Sequence, residues 1–391
     1  MKLLADKHIY FLEDLLPEEV ELFYYDSHHG YPELEGMDAW ILRTVTKVNA
    51  KTIPHLPSSL KYIGSASAGF DHVDLAFLAS KNIGFEYSPG CNAQAVAEYV
   101  VTGIISWVEH MQIDITSVRV GIIGMGHTGS AVAKLLDRIG VSYLAYDPPK
   151  LLKESGFYTC TKEALAECEI LSLHVPLIKD QGHSTYHLIP DILSISPKNR
   201  LVINASRGGV LNECYLLEDN ILNRISKKEF SYIIDVWEDE PKPNPDVVKH
   251  AFLASPHIAG YSKEAKFEAT RVVLTKILKH FNLSVRSYGN THSNNHSVEE
   301  SGHPLDQSSD SAKFESSNPL HISKLHGLHN YNYEIRKLSE RQDNISSDEY
   351  GRLFQELRNR LPLRKEFKNT PLPADYTTPY SVLFSNSSES K

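Results

Sequence analysis

With 391 residues the chain is longer than one hydrophobic core usually organises, so two or three domains are expected. Hydrophobic residues at 41% and charged residues at 23% are ordinary for a soluble globular protein and exclude a fibre or a wholly disordered chain. A formal net charge of -9 argues against nucleic acid as a partner and leaves room only for a local basic pocket that takes a small phosphate.

Met1 to Asp6 reaches a carboxylate after only a few apolar residues, too few for the core of a secretion signal. The longest apolar stretch, Val96 to Val108, is broken by Glu98, Thr102 and Ser106 and falls short of the roughly 20 residues a membrane span needs. No membrane association and a cytoplasmic location are therefore expected. Cys91, Cys160, Cys168 and Cys214 show no CxxC pairing, which points to reduced structural thiols rather than a zinc site or a disulfide framework.

Short apolar runs bounded by turn residues come first: Leu3 to Ala5, Leu22 to Tyr25, Trp40 to Leu42 and Tyr62 to Gly64, with helix-like stretches between them. This alternation predicts a parallel α/β unit. A long helix is predicted from Asn92, with Val96, Tyr99, Val100, Gly103, Ile104 and Trp107 on one face, and it reads as a stiff connector between domains. Six more apolar runs follow, at Val118 to Ile123, Tyr143 to Tyr146, Ile170 to Leu173, Leu201 to Asn204, Tyr232 to Ile234 and Phe252 to Ala254. Near-continuous apolar runs are what strands covered on both faces require, so the second unit is predicted to be a doubly wound parallel sheet.

From about Ser284 to Pro319 the chain turns to Ser, Asn, His, Glu and Gly, too polar to pack a core, and reads as a linker. Beyond it, Asp348 is expected to cap a helix whose Tyr350, Leu353, Phe354, Leu357 and Leu361 form an apolar stripe, with Arg358 and Arg360 near its C-terminal end. That stripe needs a partner within the chain or from a second subunit.

Gly124-Met125-Gly126-His127-Thr128-Gly129 follows a strand and opens a helix, the context that gives GxGxxG its meaning. Gly124 permits the tight turn, Gly126 lets the backbone approach a pyrophosphate, and Gly129 lets helix and strand pack closely, with the helix N-terminus facing the anion. Asp147 ends the next strand, where a carboxylate accepts hydrogen bonds from ribose hydroxyls and repels a 2′-phosphate. Together they point to NAD as the cofactor.

Three residues follow later strands: Arg207 in Asn204-Ala205-Ser206-Arg207-Gly208, Glu240 in Asp235-Val236-Trp237-Glu238-Asp239-Glu240-Pro241, and His257 in Ser255-Pro256-His257-Ile258-Ala259-Gly260. Oxidising a 2-hydroxy acid needs a base for the hydroxyl proton while hydride leaves the carbon, and a neutral histidine suits that role near pH 7. Glu240 would orient the imidazole and Arg207 would supply a planar fork for the substrate carboxylate.

On these motifs residues 1 to about 285 resemble the D-2-hydroxyacid dehydrogenases. The resemblance implies catalytic roles for Arg207, Glu240 and His257, and cofactor contacts at Asp147, Val175, Ser206, Arg207, Asp235 and Gly260. It implies a flavodoxin-like substrate domain of residues 1–92 and 259–285, a Rossmann NAD domain of residues 93–258, a polar linker of residues 286–320, and a small α+β dimerisation region of residues 321–391. Within the family, the segments around Leu42 to Asn49, Gly64 to Asp74, Ser88 to Ala93 and His257 to Tyr261 resemble those of a member that oxidises a phosphorylated four-carbon acid, which implies substrate contacts at Thr44, Ser65 and Tyr261. Arg43 and Lys47 are plausible partners for the phosphate.

The chain departs from the family in two places: Val175 stands where a threonine is expected, and Ser206 stands where a cysteine is frequent. Another acid, such as glycerate, lactate or 3-phosphoglycerate, is the alternative substrate, and a non-catalytic NAD-sensing scaffold is the alternative class. Histidines 280, 292, 296, 303, 321, 326 and 329 match no ligand spacing, so no metal site is expected.

Overall fold

The computed structural model describes residues 1–179, 184–191, 196–198, 200–286, 327–370 and 380–385. The predicted linker of residues 286–320 lies almost wholly outside the described residues. Eleven strands, β1 (Lys2–Asp6), β2 (Glu21–Tyr25), β3 (Ala39–Leu42), β4 (Tyr62–Ser65), β5 (Gly84–Tyr87), β6 (Arg119–Ile123), β7 (Ser142–Tyr146), β8 (Ile170–Leu173), β9 (Leu201–Asn204), β10 (Ser231–Ile234) and β11 (Leu253–Ala254), form two separate parallel sheets. Five of the helices carry the argument: α1 (Ala93–His110), α2 (His127–Arg138), α3 (Lys263–His280), α4 (Leu328–Ser339) and α5 (Ser347–Arg360).

One compact unit holds residues 1–92 and α3. Its sheet has the order β2-β1-β3-β4-β5, the flavodoxin-like arrangement. Alternate residues of β1 and β3 enter two cores, Leu4, Trp40 and Leu42 on one face and Leu3, Ala39 and Ile41 on the other. The second face is closed by Val273, Leu274, Ile277 and Leu278 of α3, and Gly64 of β4 admits that helix: a Cβ there would lie 2.4 Å from Val273 Cγ1. The edge strand β5 has no counterpart among the predicted runs, because its Gly-Phe-Glu-Tyr is half-buried throughout and shows no continuous apolar stretch.

The other unit holds residues 93–261 and the described residues of the C-terminal segment. Its sheet has the order β11-β10-β9-β8-β6-β7, so the chain leaves β6 for β7 on one side and returns to β8 on the other. This reversal opens a crevice beyond the carboxyl ends of β6 and β8, the place where open α/β sheets collect ligands. The strand interiors are apolar on both faces: Ile170, Leu201, Ile203 and Ile233 enter one core and Leu171, Val202, Tyr232 and Ile234 the other. Helix α1 is buried along nearly its whole length in the first of these cores, with α2 beside it.

Both cores of this unit are completed from the C-terminal segment, Leu328, Phe367 and Leu383 on one face and Tyr331, Tyr350 and Phe354 on the other. The predicted apolar stripe thus finds its partner within the chain. Its helix starts earlier than expected: Ser346, not Asp348, is the cap, accepting a hydrogen bond from the Glu349 amide at 3.2 Å. Asp348 lies in the first turn and takes the Lys242 ammonium at 3.0 Å instead. The described residues of this segment are mainly helices and short 3-10 turns, with a β-bridge residue at Arg364. Among the described residues no helix is long and apolar enough to cross a membrane, and no group of His, Cys, Asp and Glu side chains is placed to hold a metal.

Candidate active site

The glycine turn sits at the switch point and divides its labour by position. Gly124 has φ +94°, and a Cβ there would lie 2.4 Å from the His174 carbonyl at the end of β8, so both conformation and space require glycine. A Cβ on Gly129 would lie 1.9 Å from Gly124 O, which is the close helix-to-strand approach. Gly126, at the N-terminus of α2, faces open space: nothing lies within 4 Å of its would-be Cβ. An unobstructed backbone at a helix N-terminus suits a pyrophosphate.

Asp147 follows β7 and is tied to this turn, its carboxylate accepting from Met125 N at 2.8 Å and from Lys150 N at 3.0 Å. Lys150 returns to the turn as well, donating to Met125 O at 2.8 Å. Val175 packs its side chain into the core beside Gly124. The preceding His174 is half-buried, with Nε2 2.8 Å from Ser172 Oγ, and desolvation of its ring holds it neutral by pushing its pKa down to about 3.

The register of the sheet aligns the other candidates. Asn204, Ile234 and Ala254 are the last residues of β9, β10 and β11 and stand side by side in the ladder. Adjacent strands are about 4.8 Å apart, so Arg207, the Asp235 to Glu240 loop and His257 leave the same edge within a short span. Asn204 shapes the first loop, its side chain accepting from Ser206 Oγ at 2.8 Å and donating to Arg207 O at 3.0 Å. Arg207 is half-buried, with one guanidinium nitrogen on Ser206 O at 2.9 Å. The glycine after it is needed for space, since a Cβ on Gly208 would lie 1.8 Å from Trp237 O.

His257 and Glu240 meet directly. The imidazole Nδ1 stands 2.8 Å from Glu240 Oε2 and 2.9 Å from Oε1, and Glu240 Oε1 also accepts from Trp237 N at 3.0 Å. Burial works against ionisation of Glu240, but His257 beside it, the Arg358 guanidinium and the Trp237 amide outweigh it and hold the carboxyl below its usual range. The group is thus a carboxylate facing an imidazole whose Nε2 carries no hydrogen bond among the described residues.

Asp235 does something the motifs did not disclose. Its carboxylate accepts from Ile258 N at 2.8 Å, Ala259 N at 2.9 Å and Ser255 Oγ at 2.6 Å, so it grips the loop that carries His257. Ser255 is held in turn by Tyr99 of α1 at 2.7 Å. A second buried carboxyl, Glu213, accepts from Glu238 N at 2.6 Å and steadies the Glu240 loop; burial pushes its pKa up to about 7. Gly260 and Tyr261 end the His257 loop, with Tyr261 N on Ile258 O at 2.8 Å and Arg358 over the phenol ring at 5.4 Å.

Thr44 and Ser65 belong to the other unit. Thr44 is exposed on the turn after β3, whereas Ser65 is buried at the end of β4, 2.7 Å from Ser67 Oγ and 2.9 Å from His72 Nε2. Arg43 is engaged rather than open, with Nε 3.0 Å from the buried Asp6 carboxylate and Nη2 donating to Ser27 at 2.9 Å, while Lys47 is exposed.

Residues 92–259 match the family model described as the D-isomer specific 2-hydroxyacid dehydrogenase NAD binding domain. The erythronate-4-phosphate dehydrogenase of Proteus mirabilis (strain HI4320) is 37% identical over 279 residues, 70% of this chain and 72% of that one. The enzyme of the same name from Coxiella burnetii (strain RSA 331 / Henzerling II) is 34% identical over 287 residues, 73% and 75% of the two chains. In fold, the chain is similar to the D-lactate dehydrogenase of Aquifex aeolicus solved with NAD and lactic acid, with a TM-score of 0.53 at 23% identity over 72% of this chain and 95% of that one.

Proposed function

The chain belongs to the D-isomer specific 2-hydroxyacid dehydrogenase family, among its erythronate-4-phosphate dehydrogenases, and from this we propose that it oxidises the 2-hydroxyl of 4-phospho-D-erythronate, giving 3-hydroxy-2-oxo-4-phosphooxybutanoate. The observation that carries the reading is the pairing of the His257 imidazole with the Glu240 carboxylate at 2.8 Å.

That pairing assigns the nitrogens. Nδ1 donates its proton to Glu240, which leaves Nε2 as the acceptor for the substrate's 2-hydroxyl proton. Glu240 stays ionised and stabilises the imidazolium that results, without itself taking the proton. Arg207 presents its fork to the substrate carboxylate and polarises the oxygen that becomes the ketone. Thr44, Ser65 and Tyr261 offer hydroxyls to the remaining polar groups of the acid.

The residues at the switch point fit NAD. The open face of Gly126 at the N-terminus of α2 would hold the pyrophosphate, the Asp147 carboxylate would accept from the ribose hydroxyls, and Val175, Ser206, Arg207, Asp235 and Gly260 would supply further cofactor contacts. When bound, NAD supplies the acceptor for the hydride leaving C2.

We place residues 1–92 and 259–285 as the substrate domain, 93–258 as the NAD domain and 321–391 as a region that joins two copies into a homodimer. We also place the reaction in the cytoplasm and in pyridoxal 5′-phosphate biosynthesis; the four cysteines standing as free thiols are in keeping with a reducing compartment.

The test is NADH formation by purified protein with NAD and 4-phospho-D-erythronate, beside D-glycerate, D-lactate and 3-phosphoglycerate, with a 2-oxo acid acceptor present in case NADH stays bound. A kcat/KM for 4-phospho-D-erythronate at least about 100-fold above the others is expected. Preference for another acid would retain the chemistry and discard the substrate, and no turnover with any would favour the NAD-sensing scaffold.

A further inference from the structure

We infer that Arg364, at the far end of the chain, is a positioning residue for His257, an assignment that rests on the reading of His257 as the base. Arg364 is only 7% exposed and lies four residues beyond α5. One guanidinium nitrogen donates to Ile258 O at 3.0 Å and to Tyr261 O at 3.1 Å; the other donates to Ala95 O in α1 at 2.5 Å and to Ala259 O. Three of its four acceptors are thus carbonyls of the four residues that follow His257.

The same peptide units are held from their other side. Ile258 and Ala259 donate their amides to Asp235 and turn their carbonyls to Arg364, so the loop runs between a carboxylate and a guanidinium with its donors and acceptors both engaged. This double grip matters because His257 has φ +58°, a left-handed conformation unfavourable for a side chain with a Cβ, which persists only where its surroundings impose it. In this conformation Nδ1 lies 2.8 Å from Glu240 Oε2.

Arg364 is itself well placed to impose anything. Tyr331 OH donates to Pro362 O at 3.3 Å on one side of it, and Phe367 N donates to Glu98 Oε2 at 2.9 Å on the other. A planar fork reaching four carbonyls is a geometry that a lysine ammonium does not reproduce. The C-terminal segment therefore acts on the active site through Arg364 in addition to completing the cores.

The test compares Arg364→Lys with Arg336→Lys. Arg336 makes a similar grip elsewhere, donating to Lys249 O at 2.9 Å and to Ala251 O ahead of β11, and none of its described partners lies in the His257 loop. Both variants are expected to lower Tm. Only Arg364→Lys is expected to lower kcat, roughly 10- to 100-fold, while KM for 4-phospho-D-erythronate and Kd for NAD stay within about threefold.

A readout free of turnover is the imidazole Nδ1 proton resonance of His257, assigned by its loss in His257→Gln. It is expected to shift or broaden in Arg364→Lys and to stay in place in Arg336→Lys. Arg364→Gln, which keeps two donors, replaces Arg364→Lys if the latter does not fold. Unchanged kcat with an unchanged resonance would overturn the assignment, as would equal kcat losses in the two variants at equal Tm. A wild-type chain that fails to turn over would count against the proposed function alone, because the resonance still decides the role of Arg364.

Discussion

At the scale of single residues, three glycines of one motif make separable demands. A methyl group on Gly126 enters open space, so Gly126→Ala is expected to leave the Tm of the ligand-free protein within about 1 °C while weakening NAD binding at least about tenfold, as isothermal titration would show. A methyl group on Gly129 would collide with Gly124 O, so Gly129→Ala is expected to cost about 1–3 kcal/mol of stability in denaturant unfolding before any ligand is added. A Gly126→Ala protein that binds NAD normally would mean that the pyrophosphate lies elsewhere. His257→Ala is expected to lower kcat on the order of 10²- to 10⁴-fold with NAD affinity unchanged; residual turnover near the wild-type rate would remove His257 as the base. These residues stand out in the sequence as candidates because glycine, proline and charged residues stand in fixed order at the ends of apolar runs. Asp235 is a candidate cofactor contact by resemblance, but its grip on the Ile258 and Ala259 amides is not readable from the sequence, since spacing says nothing about which backbone groups a carboxylate meets.

At the scale of elements, α1 carries a buried carboxyl whose ionisation bears on stability. Glu98 accepts from Gln94 at 2.8 Å and from Phe367 N at 2.9 Å, yet burial dominates and pushes its pKa up to about 8. The folded state then holds a proton that the unfolded chain, with an ordinary carboxyl pKa near 4.3, has released. The stabilisation is complete below that ordinary value and is lost as pH rises toward about 8. Tm of the wild type is expected to fall between about pH 5 and pH 8 more steeply than Tm of Glu98→Gln; parallel curves would show that Glu98 is ionised in the fold. Strands were the most legible elements: β8 and β9 occupy the predicted runs and the other predicted strands differ by one residue at one end, or at both ends in β1, because burial on both faces writes a continuous apolar run. The edge strand β5 lacks that signature. The cap of α5 was misplaced by two residues because Ser346 and Asp348 are both good capping residues; Ser346 with Glu349 three positions on is the capping-box spacing that decides between them.

At the scale of the whole molecule, the C-terminal segment is a structural part of the NAD-binding unit. Leu328, Phe367 and Leu383 enter one of its cores and Tyr331, Tyr350 and Phe354 the other, each large side chain contributing roughly 1.5–3 kcal/mol by burial. A chain ending before Gly327 is expected to aggregate or to bind a hydrophobic dye with loss of near-ultraviolet dichroism; a truncated protein with the wild-type Tm would show the segment to be an appendage. Arg358 and Arg364 could not be read as neighbours of Glu240 and the His257 loop, because about a hundred residues separate them in the chain and only tertiary packing brings them together.

The central claim is that this chain moves a hydride from C2 of 4-phospho-D-erythronate while His257 takes the hydroxyl proton. A single turnover with substrate deuterated at C2 tests it most directly, read by stopped-flow absorbance and by mass spectrometry of the reduced cofactor. The account predicts deuterium in the NADH, a rate slowed several-fold relative to unlabelled substrate, and loss of that step in His257→Ala. NADH free of deuterium, or no NADH at all from a folded protein that binds NAD, would contradict it.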